Sequence, residues 1–382
     1  MKIVAGMGSI DDYIRLVNAG ADEVFCGYVP HEWNEKYGTL FPLNRREVLY
    51  YNVQIGCLED MKILRKMVDV YKVPVTVTFN YLYYLEEQYE YIEKIMRDLI
   101  EIGFDEFIIA DPALILYLEE KDVRCSIHLS GECGEINRLS IDFFNQFKNI
   151  TRYIFHRKNT IEDMDSCIKA DKRHVISCEI DNSKTDNMES ESSNKSNSSK
   201  AGNMQYEAFI LNELCHYTGA FCSSLHCDEL SHLCKIPYHM AKISEESDCF
   251  KKVDDKFKNY YEDQYDEDEL EVNIEQTYDE NQCISEKDDF EDAENEEEED
   301  MYHLGSTGCG LCALKKLKEA GVTHLKVVGR GKYIDYMERD VKNLKRALKL
   351  LDDMKTEDMD YDKKLKNTLF NGNCSGECYY LK

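Results

Sequence analysis

The sequence predicts an α/β fold: a (β/α)8 TIM-barrel-like single domain with two long polar insertions and a C-terminal helix and tail. Three observations carry this expectation. Eight short β-like runs recur along the 382 residues. Helical patterns alternate with them, which is the signature of a parallel sheet. No GxGxxG follows the first run, which counts against the competing open doubly wound sheet.

The elements follow in order. KIVAGM (2–7) reads as the first strand, and a Ser cap with acids in the first turn opens the helix after it. DEVFCGY (22–28) is the second strand, followed by an irregular aromatic stretch through Tyr51. A helix over 58–71 precedes VPVTVTFN (73–80), whose β-branched residues alternate as a strand requires. The helix at 86–102 should stop at Gly103, a C′ glycine, and Pro112 should open the helix after EFIIAD (106–111). RCSIHLS (124–130), TRYIFHR (151–157), YEAFILN (206–212) and THLKVVGR (323–330) complete the eight.

In domain terms, residues 1–181 form the first part of the barrel and 182–205 a flexible Ser/Asn-rich loop. Residues 206–243 hold strand seven and a Cys-rich segment, and 244–302 an acidic disordered insertion. The end of the barrel and a C-terminal helix occupy 303–355, with a Cys-containing tail at 356–382. The formal charge of −28 is concentrated in one place. Residues 245–300 hold 26 Asp/Glu against five Lys, a net −21, which leaves −7 for the rest. Such a run repels itself and stays solvated. It would also compete with phosphate for basic surface, which argues against broad electrostatic nucleic-acid binding but leaves room for a specific RNA site.

The start, MKIVAGMGSIDDYI, lacks the basic and apolar regions of a signal peptide, and no apolar run is long enough to span a bilayer. A cytoplasmic, reducing compartment is therefore expected, with no membrane partner, and the 16 cysteines read as metal or redox residues rather than staples. Six of them fall in two tight groups. Cys215-x6-Cys222-x4-Cys227-x6-Cys234 begins directly after strand seven, and Cys309-x2-Cys312 precedes strand eight. Thiolates are soft ligands that select zinc, cuprous copper or iron–sulfur clusters. The plainer reading is small buried residues, and CxxC alone is also a redox motif.

In a barrel, function sits at the C-terminal strand ends. Those ends carry Cys26 and Gly27, Asn80, Asp111, His128 and Ser130, His156 and Arg157, Asn212 to Cys215, and Gly329 and Arg330. His128 is the candidate catalytic acid–base, against the simpler role of a hydrogen-bonded barrel histidine. Arg330 is the candidate substrate-binding residue, suited to a phosphate or carboxylate. No HExxH or GxSxG is present. Cys374-x3-Cys378 in NCSGECYY offers further ligands or a redox pair, with a mobile tail as the plainer view.

Four stretches in order, VAGMGSIDDYIRLVNAGADEVFCGY, CSIHLS, LNELCHYTGAFCSS and CGLCALKKLKEAGVTHLKVVGRGK, resemble the collagenase-like peptidase family U thirty-two. The resemblance implies a barrel. It also implies kinship with oxygen-independent hydroxylation proteins of the ubiquinone pathway, tRNA or ribosomal RNA, in which four cysteines hold an iron–sulfur cluster. Carried over, Cys215, Cys222 and Cys234 match the first three ligands, and Cys309 or Cys312 the fourth; Cys227 is extra and a substitute for Cys234. The expected cofactor is thus a [4Fe–4S] cluster, with zinc as the alternative for the same thiols. A protein partner of the same family and an RNA or small-molecule substrate are the expected partners. A collagenase-like peptidase and a non-catalytic zinc-bound scaffold are the alternative functions.

Overall fold

In the computed structural model, the described residues are 1–38, 41–45, 53–133, 136–171, 204–215, 302–330, 332–354, 361–372 and 374–380. The expected acidic insertion, apart from Tyr302, lies outside them, as does the Ser/Asn-rich loop apart from Met204 and Gln205. Cys222, Cys227 and Cys234 also lie outside them.

Eight strands close a parallel barrel: β1 (Lys2–Met7), β2 (Glu23–Gly27), β3 (Val75–Phe79), β4 (Glu106–Ile109), β5 (Ser126–Leu129), β6 (Ile150–Ile154), β7 (Gln205–Leu211) and β8 (His324–Val327). Closure is made by β1 against β8, with Ile3 opposite Leu325 and Ala5 opposite Val327. The outer helices are α1 (Ile10–Ala19), α2 (His31–Tyr37), α3 (Leu58–Tyr71), α4 (Glu86–Glu101), α5 (Pro112–Glu120), α6 (Arg138–Phe144), a helical stretch at 161–171, α7 (Leu314–Ala320), α8 (Ile334–Asp353) and α9 (Tyr361–Leu369).

Local chemistry sets the helix ends. Asp12 accepts from the Gly8 and Ser9 amides, satisfying donors that the first turn of α1 leaves over. Asp111 caps α5 by accepting from Ala113 N at 2.9 Å, with Pro112 in the first turn. Gly103 takes φ +100° just past α4, a conformation that suits a residue without a Cβ. The aromatic stretch after β2 proved partly helical. In α2, Trp33 is fully buried and stacks on Tyr91 with ring centroids 5.7 Å apart.

Alternation along the strands produces two separate interiors. Ile3, Ala5, Val24, Val77, Phe107, Leu129 and Tyr153 face the helices and form the large outer core. Val4, Phe25, Ile108, Ile154, Phe209 and Val328 point into the barrel and pack on one another, joined by Tyr379 from the tail. Towards the N-terminal ends of the strands the barrel is filled by charge. Arg152 donates to Glu207 at 2.8 Å and to Glu23 at 2.6 Å, and Lys326 donates to Glu207 at 2.7 Å. The apolar layer therefore lies between this buried ionic layer and the mouth, with Lys326 reaching past Phe25 to the mouth's lining.

Candidate functional site

At the C-terminal mouth lies a solvent-open cavity of about 580 Å³. Thr78 and Asn80 follow from β3, Ser130 and Glu132 from β5, Arg157 from β6, Glu213 from β7 and Arg330 from β8; Arg45 comes from the segment after α2. Phe25, Ile108, Ile154, Phe209 and Val328 supply the apolar floor. Lys326 reaches the lining from β8, so the lining carries three guanidinium groups and one amine against two carboxylates.

The arginines are buried, at 4% for Arg45, 7% for Arg157 and 5% for Arg330. Burial opposes the charge of Arg157, but Glu132 and Glu213 outweigh it and hold the guanidinium firmly protonated. Arg157 meets Glu132 at 3.0 Å and lies over the Phe209 ring, 4.0 Å from its centroid. Arg330 donates to Thr78 Oγ1 at 3.1 Å. It runs beside two glycines: a Cβ at Gly27 would stand 2.4 Å from Arg330 Nη1, and one at Gly6 would stand 3.3 Å from Arg330 Cγ. Planar guanidiniums fixed beside hydroxyl and amide side chains can take a carboxylate or phosphate by paired hydrogen bonds.

The sequence-predicted residues divide across three places. Arg330 lines the mouth, as do Asn80, Ser130 and Arg157. Arg45 and Glu132 carried no strand-end signal; both sit on loops whose approach to the mouth depends on the closed barrel. His128 is 2% exposed inside the barrel, beside Arg152, Glu207 and Glu23, and is not among the cavity's lining residues. Its Nδ1 finds no hydrogen-bond partner among the described residues. Burial and then Arg152 push its pKa down to about 3, so the imidazole is neutral at pH 7. His156 is likewise buried and lowered to about 4, chiefly by burial. Asp111, a strand-end residue in the sequence, serves as a cap and accepts from Tyr89 Oη at 2.9 Å. Cys26 is wholly buried on the helix-facing side, and burial pushes its thiol up to about 12.

Cys215 follows β7, is half-buried, and lies near enough to Arg157 to bear on its charge. Cys309 and Cys312 line a second solvent-open cavity of about 350 Å³ that Cys374 and Cys378 also line. The tail that carries the last two is docked, contrary to the expectation of a mobile end. Cys309 N donates to Glu377 O at 2.7 Å, Tyr379 N to Cys309 O at 2.9 Å, and Tyr380 Oη to Phe209 O at 2.6 Å. The segment before Cys309 pairs in turn with the end of β7, through Asn212 N to Gly308 O at 2.9 Å and Leu214 N to Thr307 O at 2.6 Å. Among the described residues, no three His, Cys, Asp or Glu side chains stand close enough together to hold a metal ion as they are. The donor chemistry of the described thiols suits a soft metal or iron–sulfur cluster. Among the described residues, no helix is long and apolar enough to cross a membrane.

Comparison with known proteins adds kinship to this geometry. A stretch of 70 residues is 30% identical to the tRNA hydroxylation protein P of Escherichia coli (strain K12), covering 18% of this chain and 15% of that protein's length. Among solved structures, the U32 peptidase Mk0906 aligns with TM-score 0.35 and 8% identity, over 55% of this chain and 68% of that one. Dihydrodipicolinate synthase from Bacillus clausii aligns with TM-score 0.28 and 12% identity, over 44% and 57%. The sequence pattern of peptidase family U32 runs through residues 8–381, from the loop before α1 to the docked tail, so that β2 to β8, the mouth and both described cysteine segments lie within it, and the chain belongs to that family.

Proposed function

We propose that the protein is an iron–sulfur enzyme, or a component of one, for oxygen-independent hydroxylation in RNA modification, with the barrel mouth as its substrate site. The observation that carries this reading is the cluster of three buried arginines around a cavity that Glu213, two residues before Cys215, also lines. An anion held there by Arg330, Arg157 and Arg45 would be oriented over the apolar floor, and the walls of the barrel would keep water from its buried face. The similarity of 70 residues to a tRNA hydroxylation protein supports RNA as the target. The cluster's ligands would be Cys215, Cys222 and Cys234, with Cys227 as a substitute for Cys234 and Cys309 or Cys312 as the fourth; when bound, it would supply one-electron or Lewis-acid chemistry. The peptidase reading is less favoured by the geometry, because the described lining of the mouth has no cysteine and no histidine to form a nucleophile–base pair.

The test has two arms. Protein purified without oxygen is analysed for iron, sulfide and visible absorbance, expecting about four irons and four sulfides, lost in Cys215→Ala and Cys222→Ala. RNA from cells lacking the protein is compared with wild type by nucleoside mass spectrometry, expecting one nucleoside lighter by an oxygen atom. Iron-free protein together with unchanged nucleosides would sink the reading.

A further inference from the structure

We propose that Cys309, Cys312, Cys374 and Cys378 form a four-thiolate site for a structural zinc ion that pins the C-terminal tail to the end of β7. The proposal goes beyond the hydroxylation reading and does not rest on it.

Three independent features converge on the site. The four cysteines line one cavity, and no carboxylate or imidazole stands among its described walls. The spacings are Cys-x2-Cys and Cys-x3-Cys, both within the range by which short chain segments wrap a tetrahedral zinc. The two pairs also arrive on separate segments that the backbone has already put in register. Cys309 and Cys378 are direct partners in a parallel bridge, and Ser375 Oγ donates to Gly305 O at 2.8 Å. Segments 70 positions apart in sequence are thereby opposed before any ion is considered.

The chemistry of the set narrows the choice to a soft metal, and the spacing points to zinc. Four thiolates exclude hard cations, and two short-spaced pairs on opposed loops have the closed form of a structural zinc site. The cavity shares no lining residue with the mouth, so the ion would have no access to substrate there. Its work is mechanical: the tail segment carries Tyr379 into the inner apolar cluster and Tyr380 onto Phe209 O. Among the described residues no three such side chains meet at ligating distance, so loading must move some of the sulfurs. Cys374 is half-buried and Cys378 exposed, and Gly376, at φ +80°, lies between them, so the tail pair has that freedom. The assignment takes Cys309 and Cys312 out of the cluster's ligand set and would leave Cys227 as its fourth thiol, beside Cys215, Cys222 and Cys234.

The full chain, purified without oxygen, is assayed for zinc and iron separately, beside the double variants Cys374→Ser/Cys378→Ser and Cys215→Ser/Cys222→Ser and the single variant Cys378→His. The expected result is one zinc per wild-type chain. It should be lost from the tail double variant with iron unchanged, kept in the Cys215/Cys222 variant, and kept in Cys378→His, since a Cys3His set still binds zinc. Cobalt(II) added to the zinc-depleted full chain should show thiolate-to-cobalt absorbance that weakens in Cys378→His; this readout decides the matter if the tail double variant does not fold. Zinc retained without the tail thiols would overturn the site. So would loss of iron with the tail thiols in place of zinc, or a wild-type chain that takes up neither zinc nor cobalt. Iron-free protein with zinc intact would defeat the cluster reading alone.

Discussion

Arg330 owes its position to residues that have no side chain. It extends beside Gly6 and Gly27 on neighbouring strands, and at 5% exposure it has no alternative course to the mouth. A methyl at Gly27 would fall 2.4 Å from the guanidinium, which the end of a flexible side chain can escape only by turning away. Gly27→Ala should therefore weaken binding of inorganic pyrophosphate by about 10-fold, a loss of ~1.4 kcal/mol, while the melting temperature moves little. Arg330→Lys should do at least as much, because an ammonium cannot reproduce paired donation. Isothermal titration calorimetry checks both, and unchanged affinity in the two variants would remove the mouth as an anion site. The sequence marks Arg330 because it ends a strand, but not Arg45 or Glu132. Their loops reach the mouth only through the closure of the barrel, and no local pattern encodes that approach.

The ionic layer belongs to the strands as elements. β2, β6, β7 and β8 each place one or two ionisable side chains at inward positions, so that Glu23, Arg152, Glu207, Lys326 and His324 meet inside the barrel. Burial works against the Glu207 carboxylate, but Lys326 and Arg152 prevail and hold it down at about 2. Removing one member leaves its partners charged and dry, so Glu207→Gln should cost about 3–5 kcal/mol in urea unfolding. The sign of the pH dependence follows from the two kinds of group. Glu207, depressed in the fold, contributes stability that is present above the ordinary carboxylate range and is lost as pH falls towards 2. His128 is lowered from 6.5 to about 3. The unfolded chain therefore takes up a proton first, and the fold loses stability as pH drops from 6.5 towards 3. His128→Asn should flatten the slope between about pH 6.5 and 4.5 in chemical denaturation, leaving the contribution of His156. An unaltered slope would mean that His128 is protonated in the fold. Eight strands were legible because alternation and β-branched runs such as 75–79 repeat on a fixed period. The depth of a side chain within its strand was not: His128 reads as a strand end, yet β5 is only four residues long and leaves it beneath the apolar layer.

At the scale of the whole molecule, the C-terminal tail completes the barrel rather than trailing from it. Sequence offers little warning, since 374–380 has no period and reads as polar punctuation. What docks it is pairing with the chain around Cys309, which in turn lies against the end of β7, so the contact exists only after the barrel has closed. Tyr379 enters the inner apolar cluster at 7% exposure, and its phenol stands near Arg157. Truncating a buried aromatic of this size costs about 3–5 kcal/mol. Tyr379→Ala should lower the urea midpoint accordingly and should also weaken pyrophosphate binding, because Arg157 loses a wall that keeps it over Phe209. Tyr379→Phe keeps the ring that fills the cluster, so it should retain most of the stability. A tail that merely covered the surface would show neither loss in Tyr379→Ala. Loss of stability with unchanged anion affinity would instead confine the tail to holding the fold, and place the mouth's geometry wholly in the strands.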